Sequence, residues 1–119
     1  MRKPYIPERN HLVWMDFEPT KGQEIGKYRP ALILSSRGYN LNTGLVVCCP
    51  VSSSIRGSIT EVKLTNLEVP SVVAASLIQT LSWKERKVKF IIKAESGVMK
   101  AVLHRIIPLI GADKLMVES

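Results

Sequence analysis

Two short, uninterrupted apolar runs limit what this chain can fold into. They span 31–34 and 45–49, and Pro50 closes the second. Runs of this length are typical of strands that are covered on both faces. A third segment, 12–17, carries apolar residues on both of its alternating faces, which predicts a strand between the core and a second covered surface. The chain is therefore expected to build on a buried sheet.

The rest of the pattern adds short strands and one terminal helix. Apolar residues at 98, 102, 106 and 109 predict a helix that starts near Glu95 or Ser96 and stops at Gly111. It should weaken near Ile107 because Pro108 follows. Several strands before one helix indicate an α+β domain on a small curled sheet. Further strands are predicted at 60–64, 72–75, 77–81 and 88–93, with loops or turns at 18–29, 36–44 and 52–57.

The size and the apolar pattern indicate one compact, soluble domain over residues 1–119. The chain has 119 residues and a mass of 13.3 kDa, which is too small for two ordinary domains. No stretch reaches the roughly 18 apolar residues that a membrane helix needs. The basic N-terminus has no apolar segment behind it, so a secretory signal is not expected. A cytoplasmic protein without a membrane partner is the expectation.

The two cysteines are adjacent, at Cys48 and Cys49. Neighbours on an extended segment point to opposite faces, so we expect two buried, unpaired side chains. A zinc site would need further ligands, and His11 and His104 are the two histidines. No metal site and no cofactor are predicted.

The charge balance favours a polyanionic partner. Lysine and arginine total 17 against 10 acidic residues, for a net charge of +7. Five of the cations fall within 84–93, beside Glu85. This segment is either a solvated face or a patch that follows the phosphates of a nucleic acid.

Arg29 precedes the first apolar run, and Ser52, Ser53 and Ser54 follow the second. If the two strands are antiparallel neighbours, the guanidinium and the hydroxyls meet at one end of the sheet. Such a pair suits a phosphodiester, because a donor fork and a hydroxyl can both bind phosphate oxygens. The alternative is that Arg29 forms an ion pair with a nearby glutamate, Glu18 or Glu24, and that the serines only build a turn.

A series of short motifs runs through most of the chain. The motifs are LVWMDFEPTKGQE at 12–24, YRPALILS at 28–35, TGL at 43–45, CCPVSS at 48–53, LSWK at 81–84 and VLHRIIPLIG at 102–111. The most specific feature is the acid–proline–x–x–glycine loop followed by arginine–proline. In this order the motifs resemble the MazF/PemK family of toxin endoribonucleases from type II toxin–antitoxin pairs, closer to the MazF branch, and the resemblance covers roughly residues 5 to 111.

This resemblance implies a small SH3-like β-barrel of the CcdB/PemK type with a C-terminal helix, which forms a homodimer. It implies sequence-specific, metal-independent cleavage of single-stranded RNA. The RNA's own 2′-hydroxyl attacks the phosphate, leaving a 2′,3′-cyclic phosphate and a 5′-hydroxyl. A cognate MazE-like antitoxin is expected to silence the enzyme by placing an extended acidic and apolar segment across the RNA groove.

The resemblance also assigns roles to residues. Arg29 corresponds to the family's catalytic arginine, and Ser52 stands where relatives carry threonine. We expect Arg29 to act first by electrostatic stabilisation, because its pKa is too high for a proton donor. Glu24 is the candidate base. The candidate RNA contacts are Lys21, Gln23, Lys27, His11, Ser53 and Arg56.

Other positions depart from the family pattern. Ser76 replaces the aspartate that the PemK branch uses, Ala74 replaces its arginine, and Gln23 replaces its histidine. Only the Arg29/Ser52 version of the mechanism is therefore available. Three alternatives follow: an inactive member that binds RNA or antitoxin, a toxin that targets gyrase, and an SH3-like binding module. Trp14 and Trp83 are interpreted as core or dimer contacts rather than stacking platforms for bases.

Overall fold

The structure is a computed structural model that describes residues 4–19, 22 and 26–118. In this part of the chain, seven strands form an antiparallel sheet in the order β4-β5-β3-β2-β1-β7, with β6 also paired to β3. The strands are β1 (His11–Asp16), β2 (Tyr28–Ile33), β3 (Leu45–Ser52), β4 (Glu61–Leu64), β5 (Ser71–Ala74), β6 (Gln79–Ser82) and β7 (Lys89–Lys93). The helices are α1 (Arg37–Thr43), α2 (Val98–Leu109) and α3 (Ala112–Glu118), and a 3₁₀ turn covers Ala75–Leu77.

Strand β3 curls the sheet because it changes partners along its length. Its first half pairs with β6, its middle with β2, and its last two residues with β5. The strand continues through Pro50 to Ser52, so the prediction that Pro50 closes it was wrong. Pro50 lies after the β6 pairing ends and before the β5 pairing begins, where its missing N–H interrupts neither ladder. The predicted α+β class on a curled sheet is confirmed.

The sheet separates two apolar clusters, as the two-sided pattern of β1 predicts. Leu12 packs with the inner face of α2, which supplies Val98, Val102 and Ile106. Val13 and Met15 belong to the second cluster on the opposite face. The adjacent cysteines divide in the same way, because Cys49 lies in the first cluster and Cys48 in the second. Burial raises the pKa of both free thiols to about 12, so they are protonated at neutral pH.

Helix α1 occupies a segment that the sequence predicts as a turn. Ser36 caps it by accepting the N–H of Tyr39, and Gly44 ends it with a φ of 73°. Asn40 is fully buried in this helix, and its side chain donates to the carbonyl of Pro7 over 2.8 Å. Tertiary hydrogen bonds therefore offset the low helix propensity of this glycine- and asparagine-rich segment.

Helix α2 starts later than predicted and does not weaken near Ile107, whereas the predicted stop at Gly111, which has a φ of 77°, is confirmed. Gly97, with a φ of 90°, takes the N-cap position and makes no side-chain cap. Glu95 instead accepts the N–H and hydroxyl of Thr65. The helix passes Pro108 to Leu109, because a proline in the last turn costs only one donor and the N–H of Ile110 still reaches Ile106. In the described part of the chain, no helix has the length and apolar character required to cross a membrane.

Candidate active site

The pairing of β2 with β3 brings Arg29 and Ser52 together. Ala31 pairs with Pro50 in this antiparallel ladder. Continued by two residues, the same register sets Arg29 opposite Ser52. Opposite residues of an antiparallel pair project from the same face of the sheet. Both side chains line one hollow with a volume of about 510 Å³.

Arg29 is half-buried, and a local contact orients its guanidinium. The Nε–H donates to the carbonyl of Gly26, just before β2. Burial lowers the pKa of Arg29, and the negative charge of Glu18 opposes this shift. An arginine remains protonated at neutral pH even so. The hollow therefore contains a fixed, partly desolvated positive charge, which interacts with an anion more strongly than a fully hydrated one.

Ser52 is a buried hydroxyl at the end of β3, with 9% of its surface exposed. Its Oγ accepts the N–H of Ser54 over 3.1 Å. A serine oxygen has one proton to donate and two lone pairs to accept with. Because this contact uses a lone pair, the hydroxyl proton is available to a substrate oxygen in the hollow.

One part of the lining of this hollow, the hydroxyl wall, consists of Ser58, Thr60 and Ser76. The Oγ atoms of Ser58 and Thr60 lie 3.0 Å apart, and Thr60 donates to Ser76 over 3.4 Å. Because the same hollow also has apolar lining residues, Val72, Ala74 and Leu77, it can hold a phosphate beside a flat, apolar base. The other lining residues are Gly22, Gly26, Ser54, Arg56 and Glu61.

The loop between β1 and β2 is closed at its base. The carboxylate of Glu18 accepts the N–H of Lys27 over 2.7 Å, and the N–H of Phe17 donates to the carbonyl of Lys27 over 2.9 Å. These bonds fix the point at which β2 begins and hence the position of Arg29. Three predicted site residues of this loop lie outside the described residues: Lys21, Gln23 and Glu24.

The other predicted RNA contacts fall in three places. Arg56 lines the hollow of Arg29 and Ser52. Lys27 and Ser53 line a neighbouring hollow, also of about 510 Å³, which Arg29 shares. His11 lies at the opposite end of β1, since Met15 is the β1 residue that pairs with Arg29. It is buried there, with its Nδ1 2.7 Å from the hydroxyl of Tyr5. The structure therefore does not bring His11 to the hollow.

The neighbouring hollow has a mostly apolar lining, to which Lys27, Arg29 and Glu68 add charged groups. Trp14 and Tyr28 stack there, with ring centroids 5.5 Å apart. Trp14 is 37% exposed, whereas Trp83 packs against the second cluster and donates from Nε1 to the carbonyl of Asn40. The core interpretation is confirmed for Trp83. The apolar residues of this lining are Trp14, Tyr28, Pro30, Val51, Leu67, Val69 and Ile91.

The basic segment before β7 packs beside the same loop. Arg86 donates to the carbonyls of Asp16 and Glu18, and Tyr28 donates to the carbonyl of Lys87. Lys87 and Lys89 are exposed beside the stacked aromatic pair, since Tyr28 contacts Lys87 and Trp14 pairs with Lys89. Two cations of this segment thus lie next to the neighbouring hollow, whereas Lys84 lies over the ring of Trp83.

Sequence reasoning missed Glu61 and the hydroxyl wall. The pattern at 60–64 indicated a half-exposed strand, and no motif marked Glu61 as part of a site. Its carboxylate accepts backbone N–H groups of the preceding loop, a contact that exists only in the folded chain. The alternation of Ser58 and Thr60 next to a predicted strand was the only pattern that could have indicated a row of hydroxyl groups on one face. No group of three His, Cys, Asp or Glu side chains among residues 4–19, 22 and 26–118 is placed to hold a metal ion.

The family model, the similar sequences and the similar structures all match MazF-like toxins. Residues 8–110 match the family model described as PemK-like, MazF-like toxin of type II toxin–antitoxin system. The endoribonuclease toxin MazF of Escherichia coli K12 is 38% identical over 82 residues, which are 69% of this chain and 74% of that protein. Crystallised MazF from Deinococcus radiodurans is 39% identical and superposes with a TM-score of 0.87, covering 91% of this chain and 99% of its own. A MazE–MazF structure from the same organism, at 39% identity, gives 0.80 and covers 91% of this chain and 98% of the matched chain.

Proposed function

The chain belongs to the PemK-like, MazF-like family of toxins of type II toxin–antitoxin systems, and we propose that it cuts single-stranded RNA in the Arg29–Ser52 hollow. The toxin is an endoribonuclease of the MazF kind. The observation that supports this site is the register of β2 and β3, which sets a guanidinium opposite a hydroxyl in one hollow. The reaction is inferred from the family, and we infer from the hollow that Arg29 and Ser52 bind the phosphate at which the strand is cut.

RNA carries its own nucleophile, so the enzyme needs only to position the strand, stabilise charge and move protons. The 2′-hydroxyl attacks the adjacent phosphorus, the bond to the 5′-oxygen breaks, and the products are a 2′,3′-cyclic phosphate and a 5′-hydroxyl. The 2′-hydroxyl proton passes to a base and the departing 5′-oxygen gains a proton. DNA lacks the nucleophile and is not cut.

Arg29 stabilises the negative charge that builds on the phosphorane-like transition state. Its planar fork of donors matches two phosphate oxygens, and its partial burial strengthens the attraction. The hydroxyl of Ser52 donates a further hydrogen bond to a phosphate oxygen. Glu24 is the proposed base, on the loop that precedes Arg29, and Lys21 and Gln23 on that loop are proposed RNA contacts.

The remaining RNA contacts follow from the two hollows. We propose that Arg56 binds a phosphate in the hollow of Arg29, and that Lys27 and Ser53 bind the strand where the two hollows meet at Arg29. The placement of His11 gives no support to an RNA contact by that residue. The net charge of +7 supports binding of a polyanion.

The proposed partners are single-stranded RNA, a cognate MazE-like antitoxin and a second copy of the chain, with no cofactor and no membrane. The neighbouring hollow is mostly apolar, and the cations of its described lining, Lys27 and Arg29, outnumber the one acid, Glu68, which suits an extended segment that is both acidic and apolar. We further propose that residues 1–119 form one toxin domain and that it acts in the cytoplasm, where RNA and antitoxin are both present.

A cleavage assay tests the proposal. The purified protein is incubated with a single-stranded RNA of defined mixed sequence in the presence of a metal chelator, and the ends of the fragments are mapped. We expect cyclic phosphate and 5′-hydroxyl ends, and no cleavage of the matching DNA strand. The Arg29→Ala variant serves as the control for a contaminating nuclease. Intact RNA, or fragments that this variant produces equally well, would refute the proposed function.

A further inference from the structure

The carboxylate of Glu61 accepts hydrogen bonds from three successive backbone N–H groups. Its Oε1 accepts from Gly57 over 2.8 Å and from Ser58 over 3.1 Å, and its Oε2 accepts from Arg56 over 3.3 Å. The chain can curve this tightly because Gly57 has a φ of 75°, in the left-handed region that favours glycine. The carboxylate therefore determines the shape of the turn at 56–58.

The turn at 56–58 forms one wall of the hollow of Arg29. Arg56, Ser58 and Glu61 all line that hollow. The far side of the loop is held by α2, where the Nε–H of Arg105 donates to the carbonyl of Ile59 over 3.0 Å. The loop is exposed to solvent along most of its length, so these bonds, rather than apolar packing, hold it in place.

We propose that Glu61 is a positioning residue, which holds the turn at 56–58 so that Arg56 binds a second RNA phosphate in the hollow of Arg29. This inference rests on the proposed function. A lone carboxylate in an RNA site would repel the phosphates. Here three N–H groups donate to the carboxylate of Glu61, and the turn that they form brings the cation of Arg56 to the hollow. Glu61 acts through Arg56 and does not contact the RNA.

The Glu61→Gln substitution separates this role from simple electrostatics. If the carboxylate only repelled RNA, its removal would tighten binding. If it positions Arg56, binding weakens, because the amide NH₂ of glutamine faces the Arg56 N–H as donor against donor. The measurement is the Kd of a single-stranded 2′-O-methyl RNA of mixed sequence, which the enzyme does not cut because the nucleophile is blocked. We expect Kd to rise several-fold, and the slope of log Kd against log salt to fall by about 0.7, the value for one lost phosphate contact on a single strand.

Three further single variants and one double variant make the experiment specific. Gly57→Ala strains the same turn without changing any charge, and should raise Kd in the same way. Arg56→Ala should reproduce the loss of salt slope, and adding Glu61→Gln to it should change nothing further. Asp113→Asn removes one negative charge from the exposed start of α3, outside the hollow, and should leave the slope unchanged. Thermal unfolding of each variant checks that the fold is retained.

The binding experiment can fail independently of the cleavage assay that tests the proposed function. Tighter or unchanged binding by Glu61→Gln would overturn the inference, and so would an effect that persists at full size in the Arg56→Ala background. In the cleavage assay, a loss in kcat with an unchanged KM would make Glu61 part of the chemistry instead, which also overturns it. Failure of the wild-type protein to cleave RNA refutes the proposed function, whereas the binding measurement still decides the role of Glu61.

Discussion

Arg29 on β2 and Ser52 on β3 line the same hollow, and the register of the two strands, continued two residues beyond Ala31 and Pro50, sets them opposite each other. Strand pairing holds both residues in place, because Arg29 pairs with Met15 of β1 and Ser52 pairs with Val72 of β5. Short contacts to Gly26 and Ser54 orient the two groups further. A site held in this way is organised before the substrate arrives, which is the condition for strong stabilisation of a transition state.

Replacing Arg29 with lysine keeps the positive charge but removes the planar guanidinium with its paired N–H donors. The variant loses both the contact with Gly26 and the paired donors for phosphate oxygens. We expect single-turnover cleavage to slow by roughly 100-fold or more, the usual effect of losing a transition-state donor. The unfolding midpoint should stay close to that of the wild type. A lysine variant that cleaves at the wild-type rate would show that the charge alone suffices.

Ser52 is expected to tolerate threonine and not alanine. Threonine keeps the hydroxyl on a side chain with fewer rotamers, so the Ser52→Thr variant should cleave at least as fast as the wild type. Ser52→Ala removes the donor and leaves the N–H of Ser54 without this acceptor, and we expect a loss of about 10-fold or more in kcat. Single-turnover rates at saturating enzyme measure both. Equal rates for the alanine and threonine variants would exclude a role for the hydroxyl.

His11 should make the stability of the fold depend on pH. Burial lowers its pKa and Lys93 adds to the shift, whereas the nearby Glu8 opposes it. Below the ordinary value of 6.5 the unfolded chain binds a proton at His11 that the folded chain does not. The stability that the neutral His11 contributes is therefore fully present above that pH and is lost as the pH falls.

The His11→Gln variant tests this dependence. It should lose less stability than the wild type when urea unfolding is compared between about pH 7.5 and pH 5.5, the range that brackets an unperturbed histidine. If both proteins lose the same free energy of unfolding over that range, His11 is not the titrating group.

Asn40 is expected to carry much of the stability of the α1 region. It is fully buried, donates to the carbonyls of Pro7 and Ser35, and accepts from the hydroxyl of Ser35. Asn40→Ala leaves these buried groups without their hydrogen-bond partner, which should lower the free energy of unfolding by about 3 kcal/mol. Asn42→Ala, on the exposed side of the same helix, is the matched control and should change it by less than about 0.5 kcal/mol. Urea unfolding measures both, and equal effects would contradict this account.

The strands and the central pair of the site could be predicted because their signals are local. The apolar runs at 31–34 and 45–49 identify two buried strands, and antiparallel pairing alone then brings Arg29 to Ser52. Helix α1 could not be found in this way. Its glycine and asparagines favour a turn, and the buried contacts of Asn40 that stabilise the helix come from residues distant in the chain.

The wider site was less accessible to sequence reasoning. His11 is a polar residue at a strand end, and only the pairing of β1 with β2 shows that this end faces away from Arg29. Glu61 has the sequence context of a solvent-facing strand residue. Its partners are backbone N–H groups, which every residue except proline carries, so side-chain identities gave no indication of the contact.

The coupling between Arg29 and Ser52 is the most direct test of a shared phosphodiester. Single-turnover cleavage rates are measured for the wild type, Arg29→Lys, Ser52→Ala and the double variant, with folding checked for each. Two groups that bind the same transition state should be strongly non-additive, so the double variant should be little slower than the slower single variant. Fully additive losses would show that the two side chains act at separate places and would contradict the account.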